Sequence, residues 1–255
     1  MNNPNVLESL AVQLVRRQVR VVDLTAPLSD QTPVIRLPAE RGQPWPFRRE
    51  IISQYDEKGE EVYWANIAMS EHTGTHFDAP VHWISGKQFN DVSQVPVQDL
   101  VAPAAVIDVS HLVHDPDFLL ERKHVESWIA QHGPLPENGW LLYRSGWDSR
   151  DGDADSFLNG AHTPGISVEC ARWLAEETPI KGIGTETVGT DAGQAFTFTP
   201  QFPVHWYMHG ANKYGLTQLK NLKLLPPTGA VLVVSPLPIV GGSGSPCRAY
   251  ALISA

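Results

Sequence analysis

Only two of the 255 residues are cysteine, Cys170 and Cys247, and they lie far apart, so the chain has neither a disulfide framework nor the cysteine clusters of a zinc ribbon. Cations are scarce as well: 19 Lys and Arg stand against 28 Asp and Glu, for a formal charge of −9. Nucleic-acid and anionic-membrane surfaces need clustered cations to displace counterions, so the expected partner is a small molecule, with no nucleic acid and no membrane. No run of about eighteen apolar residues occurs, and the opening residues lack a basic stretch followed by an uninterrupted apolar one. A cytoplasmic protein is the expectation. Neither a repeat nor a long linker interrupts the sequence, and residues 1–255 read as one domain.

What the chain does have is an ordinary globular balance, 42% apolar and 18% charged, which leaves intrinsic disorder without support. Leu7, Leu10, Ala11, Leu14 and Val15 recur at helical spacing and predict an amphipathic N-terminal helix, with Arg16 and Arg17 in its last turn. Its apolar stripe is expected to pack on the body of the protein or on a second subunit. Val19, Val21 and Val22 predict a strand ending near Asp23, whose carboxylate is expected to cap the following turn. Strand-length apolar runs follow at 104–109, 140–143, around Ile183 and at 231–234. Residues 124–131 and 167–176 read as helices, the second capped by Ser167. With 20 Gly and 21 Pro, the pattern is that of an α/β domain with many loops.

The chemistry concentrates between Glu71 and His82, where three histidines and two carboxylates fall within twelve positions. Neutral imidazoles and a carboxylate are a usual ligand set for zinc, manganese or iron, and His72, His76 and Asp78 are close enough for one turn to deliver all three. Gly74 between two threonines argues for a tight turn leading into an extended segment from Phe77 to Pro80, rather than a helix. No Glu follows His72, so the helical zinc-protease signature is not met. Pro80 should turn the chain and aim His82 into the cleft, where an imidazole titrating near neutrality suits acid/base work; a further metal ligand is the other role open to it. Phe77, alternating with two ligands, should face the core.

Elsewhere, Glu186 and Asp191 lie among glycines and are read as carboxylates bonded to turn amides. The glycine-rich segment Gly241–Pro246 lacks the lysine and helix of a phosphate loop and reads as a tight loop near the site. Trp45, Phe47, Trp64, Trp83 and Trp206 flank the candidate segments and offer aromatic walls, although large aromatics more often fill cores.

The segment HTGTHFDAPVH, His72 to His82, matches without gaps the HxGTHxDxPxH motif of the cyclase-like amidohydrolase family, which the chain resembles. Further landmarks are WISGK at 83–87, HTPG at 162–165, GTETVGTDAGQAF at 184–196, HGANKYGL at 209–216 and GGSGSP at 241–246. The resemblance implies a swivelling β/β/α domain of the α/β class, with mixed sheet and flanking helices, and a homodimer. It also implies His72, His76 and Asp78 as metal ligands and His82 as a catalytic residue. His205 is the match to a later catalytic histidine that contacts substrate and water, with His209 as the alternative; Trp83 and His209 are expected against the substrate. A late ligand falls on Gln218 when counted back from Pro226 and Pro227, or on Thr217 when counted without gaps from His205. Gln218 is preferred, because a carboxamide oxygen suits a hard cation. Without a Glu there, one divalent ion is expected, Mn2+ before Zn2+. The implied reaction is hydrolysis of a small cyclic amide, isatin to isatinate. An N-formylkynurenine-type arylformamidase is the alternative, and a non-catalytic metal-dependent binding protein is a third reading.

Overall fold

The apolar runs at 101–108 and 140–144 lack polar alternation because both of their faces are buried. The structure is a computed structural model that describes residues 5–255. Along the chain run α1 (Val6–Val15), β1 (Val19–Asp23), β2 (Arg48–Asp56), β3 (Gly59–Ala68), β4 (His76–Asp78), β5 (Val101–Asp108), β6 (Leu119–Leu120), α2 (Arg122–His132) and β7 (Trp140–Arg144). There follow α3 (Ala154–Leu158), β8 (Gly165–Ile166), α4 (Val168–Glu176), β9 (Gly182–Thr185), β10 (Tyr214–Thr217), β11 (Ala230–Pro236) and β12 (Gly244–Ser254). The class is α/β, with a mixed sheet and a few flanking helices.

The main sheet runs β1-β12-β11-β5-β7-β9-β10-β4, and a further pairing of β4 with β12 closes seven of these strands into a barrel. β12 makes the closure because it is long enough to serve two partners: Gly244–Pro246 pair with β4, and Tyr250–Ser254 pair with β1. The strands β5, β7, β9 and β10 are parallel, and the remaining pairings are antiparallel.

Successive side chains on a strand point to opposite faces, and this alternation divides the core in two. Ala104, Val106, Trp140 and Leu142 face the barrel interior with Phe77, Leu216, Leu232 and Ala249. Ala105, Ile107, Leu141 and Tyr143 face outward onto Val125 and Trp128 of α2 and Cys170 and Leu174 of α4. Trp140 is fully buried, and truncating such a side chain to alanine costs roughly 3–5 kcal/mol. The helix α4 begins as read, with the Ser167 hydroxyl accepting from the Cys170 N–H. The Asp23 carboxylate accepts from the Thr25 N–H, and it also pairs with Arg248.

Some expectations change. Arg16 is the C-cap of α1 and Arg17 lies beyond it, so neither stands in the last turn. The helix buries no residue fully: Leu10 and Leu14 are half-buried where it meets β1, while Val6, Leu7 and Val15 are exposed, so only part of its stripe packs on the body of the protein. The hairpin β2–β3 was not foreseen and stands apart from the main sheet. Its strands are mostly exposed on both sides, so no burial imposes a period-two pattern on their sequence. Cys170 and Cys247 are buried and free. No helix among the described residues is long and apolar enough to cross a membrane.

Candidate metal centre

The short strand β4 lies at the seam of the barrel, between β10 and β12. Phe77 points inward, fully buried beside Tyr214 (ring centroids 5.2 Å apart) and Trp140 (6.3 Å). Period two therefore turns its neighbours His76 and Asp78 together to the other face. The preceding turn brings His72 back over them, its ring centroid 5.2 Å from that of His76. A 3-10 turn at Pro80–His82 then redirects the chain and sets the His82 ring 4.0 Å from that of His72.

Hydrogen bonds at the back of two rings determine what their front atoms offer. Nδ1 of His76 lies 2.7 Å from the Gly74 carbonyl, an acceptor only, so this nitrogen carries the proton and Nε2 presents its lone pair. Nε2 of His72 lies 2.9 Å from the Ser243 hydroxyl, whose own proton goes to Glu71 Oε2 at 2.7 Å. His72 Nε2 is therefore the nitrogen that donates to Ser243, and Nδ1 is the one that faces Asp78. Asp78 Oδ1 lies 2.8 Å from His72 Nδ1 and 3.5 Å from His76 Nε2, so one carboxylate oxygen stands between the two rings. Burial holds His76 down at about 4, leaving it neutral at pH 7. Burial works to raise Asp78, but the adjacent histidines prevail and hold it well below the ordinary carboxylate range. Two imidazoles and an anionic carboxylate are a donor set that fits a divalent cation.

Across the cleft a single π-helical turn, His205–His209, supplies two more histidines. Their ring centroids lie 5.5 Å apart, and those of His205 and His209 lie 5.4 and 6.0 Å from His82. Asp78, His205 and His209 present ligand atoms within 4.8 Å of one another, as do His72, Asp78 and His82. Burial drives His82 well below the usual histidine value and His209 to about 4. His209 Nδ1 donates to the Lys213 carbonyl (3.0 Å), which leaves its buried Nε2 as a lone pair in the cleft. Lys213 is itself fixed, its ammonium donating to the carbonyls of Leu174 and Thr178 at the end of α4. His205 differs: burial would lower it, but Asp191 at 2.5 Å from Nδ1 outweighs burial and raises it.

Gly86 explains how the two histidine segments come so close. A Cβ there would lie 2.2 Å from the Pro80 carbonyl oxygen and 2.7 Å from that of His209, so only glycine lets the His82 turn meet the π turn. Ser85 adds a hydrogen bond of 2.7 Å to the Trp206 carbonyl.

The structure thus gathers His72, His76, Asp78, His82, His205 and His209 into one cleft. Trp83 joins them, 4.8 Å from the His205 ring and 5.5 Å from Phe202. Gln218 lies beside the His76 turn, its backbone carbonyl accepting from Thr75 Oγ1 at 2.7 Å. Its amide nitrogen donates to the Pro33 carbonyl (3.2 Å), so the amide oxygen is the atom it has for a cation. Thr217 faces His76 across the β4–β10 pairing, with its hydroxyl 3.0 and 3.1 Å from the two ring nitrogens. Glu186 bonds to turn amides as read, at Ser145, Gly146 and Trp147. Asp191 also bonds to amides, of Val204 and His205, but its grip on the His205 ring was not foreseen. The contacts of Glu71, Ser243 and Phe202 were also missed; Glu71 had a signal in the histidine-rich segment it opens and Ser243 in its glycine-rich one.

Comparison with known proteins identifies the family. The family model described as "Putative cyclase" matches residues 22–192. An isatin hydrolase of Roseibium aggregatum is 42% identical over 262 residues, covering 99% of each chain. A crystal structure of an isatin hydrolase bound to the product analogue thioisatinate superposes with a TM-score of 0.96 at 40% identity, covering 100% of both chains. A kynurenine formamidase of Bacillus thuringiensis is 29% identical over 231 residues, 89% of this chain and 95% of the relative.

Proposed function

We propose, from the premise that this chain belongs to the cyclase family, that it is a metal-dependent hydrolase opening a small cyclic amide, isatin to isatinate. The observation that carries the proposal is the approach of His72 Nδ1 and His76 Nε2 to one buried Asp78 oxygen, at 2.8 and 3.5 Å, with the second nitrogen of each ring bonded away from it. His72, His76 and Asp78 would hold one divalent cation, with the Gln218 carboxamide oxygen as fourth ligand; Mn2+ is preferred over Zn2+ because a neutral oxygen ligand suits a harder ion. Bound there, the cation supplies Lewis-acid polarisation of the substrate carbonyl and a more acidic water.

The chain's own groups do the rest. His82, kept neutral by burial, accepts the proton of the attacking water and returns it to the ring nitrogen as the C–N bond breaks, giving an aromatic amine and an α-keto acid. His205, oriented by Asp191, holds the attacking water and substrate oxygen. His209 and Trp83 bound the substrate, with Trp83 and Phe202 forming an apolar wall for a flat ring. The overall reaction adds one water across the amide bond.

We assign the finer architecture to the swivelling β/β/α type, the location to the cytoplasm and the assembly to a homodimer. The exposed Val6, Leu7 and Val15 of α1 support a second copy, and sedimentation as a monomer would remove it.

The test is turnover of isatin beside N-formylkynurenine by protein stripped with chelator and then reconstituted with Mn2+ or Zn2+. Metal-dependent ring opening of isatin is the expected result. Preference for the formyl substrate would transfer the function to an arylformamidase, and ligand binding without turnover would identify a binding protein.

A further inference from the structure

We infer that Glu71 and Ser243 are positioning residues for the cation, acting together to fix which nitrogen of His72 faces Asp78. The inference rests on the cation site proposed above. Glu71 Oε2 accepts both the backbone N–H of Ser243 (3.0 Å) and its hydroxyl proton (2.7 Å). A hydroxyl has one proton to give, so once the carboxylate holds it, Ser243 Oγ can only accept from His72 Nε2, 2.9 Å away. His72 Nδ1 is thereby the nitrogen set 2.8 Å from Asp78 Oδ1, and in the neutral ring it is the one without a proton.

Without that hydroxyl the imidazole is free to take its other tautomer and donate Nδ1–H to Asp78. This internal hydrogen bond satisfies both groups and has to be broken before a cation binds. The chain Glu71, Ser243, His72 disfavours that competing tautomer in advance, as outer partners of metal-binding histidines commonly do.

The surrounding loop is built to keep Ser243 in place. Gly241 N–H donates to Asp91 Oδ2 (3.0 Å), Val92 N–H donates to the Gly242 carbonyl (2.9 Å), and Ala79 N–H donates to the Ser243 carbonyl (3.0 Å). The next residue, Gly244, pairs with Asp78 in the sheet, and a Cβ there would lie 2.6 Å from His72 Cε1. The ring therefore rests against bare backbone, with Ser243 at one nitrogen and Asp78 at the other. Residues separated by about 170 positions thus set the state of one ligand, and none of the three hydrogen bonds involves the substrate.

The experiment is titration of the metal-free protein with Mn2+, following the electron paramagnetic resonance signal of the free ion, with apo-protein melting recorded for every variant. Ser243→Ala and Glu71→Ala are each expected to weaken Mn2+ binding about 10- to 100-fold, while Ser243→Thr, which keeps the hydroxyl, retains most of the affinity. Because both residues act through one hydroxyl, the double variant should bind little worse than either single one. Mn2+ affinity within twofold of wild type in Ser243→Ala, with or without a lower melting temperature, would overturn the inference, as would fully additive losses. His76→Ala runs alongside: if it too binds Mn2+ like wild type, the cation site itself is misplaced and the inference falls with it.

Discussion

Asp191 Oδ2 lies 2.5 Å from His205 Nδ1, and the same carboxylate accepts the backbone N–H groups of Val204 (2.7 Å) and His205 (3.1 Å). One buried side chain therefore anchors the start of the π turn and fixes the tautomer of the histidine it presents, leaving His205 Nε2 for the cleft. Asp191→Asn substitutes an amide that can still accept a backbone N–H but no longer stabilises a charged or strongly donating imidazole. We expect kcat to fall about 10- to 1,000-fold with KM changed far less. Unchanged kcat in steady-state assays would reduce Asp191 to an anchor of the turn.

Chelation tests the donor set as a whole. A cation that binds the folded state alone stabilises it by mass action, so stripping should lower the melting temperature and abolish turnover, and Mn2+ should restore both. Asp78→Asn removes the only anion among the three proposed ligands His72, His76 and Asp78. The variant should show no stabilisation by Mn2+ at concentrations that saturate wild type, and a normal melting shift would exclude Asp78 as a ligand.

Glu186 provides a pH prediction away from the metal. Burial and the nearby Asp148 carboxylate push it up from 4.5 to about 7, against three backbone N–H bonds that favour the anion. A carboxyl whose folded value is raised binds more protons folded than unfolded. Its contribution to stability is full below pH 4.5 and is lost as pH rises through about 7. Buried histidines such as His76 titrate with the opposite sign, so the difference between wild type and Glu186→Gln isolates the carboxyl. Urea unfolding at pH 5 and pH 8 should show that wild type loses more stability than Glu186→Gln over this interval, on the order of a few kcal/mol at most. Parallel pH profiles would refute the assignment.

Legibility in the sequence followed the length scale of each interaction. His72, His76, Asp78 and His82 could be read because one turn, one three-residue strand and one 3-10 turn bring them together within eleven residues. The paired apolar runs of β5 and β7 were legible for the same reason, since burial of both faces leaves a local signature. Asp191 was read correctly as a partner of turn amides, yet its bond to the ring of His205 depends on a turn fourteen residues later. Ser243 touches His72 only because the barrel closes through β12, and no local pattern announces that a strand will divide itself between β4 and β1. The hairpin β2–β3 was missed because mostly exposed strands carry no compulsory alternation.

Gly86 links fold and function at a single atom. Gly86→Ala would place a methyl group 2.2 Å from the Pro80 carbonyl oxygen and 2.7 Å from that of His209, and neither is a flexible side-chain end. The His82 and π turns must separate, at a cost of about 1–3 kcal/mol in stability. Turnover should fall together with stability, because His82 and His209 move apart. A variant that melts like wild type and keeps full kcat would mean that the contact between the turns is looser than this packing requires.

Trp83 separates two roles that an aromatic residue can play beside the histidines proposed as catalytic. Its ring lies 4.8 Å from His205, 6.0 Å from His82 and 5.5 Å from Phe202, so it both supports the histidines and completes the apolar wall. If the wall is what a flat substrate uses, Trp83→Ala removes binding shared by ground state and transition state. KM for isatin should then rise about 10- to 100-fold with kcat changed little, and Trp83→Phe should recover much of the loss. If the ring chiefly steadies His82 and His205, kcat should fall instead, with KM nearly constant. Steady-state kinetics on the two variants decides between these, and only the first outcome supports placing the substrate against Trp83.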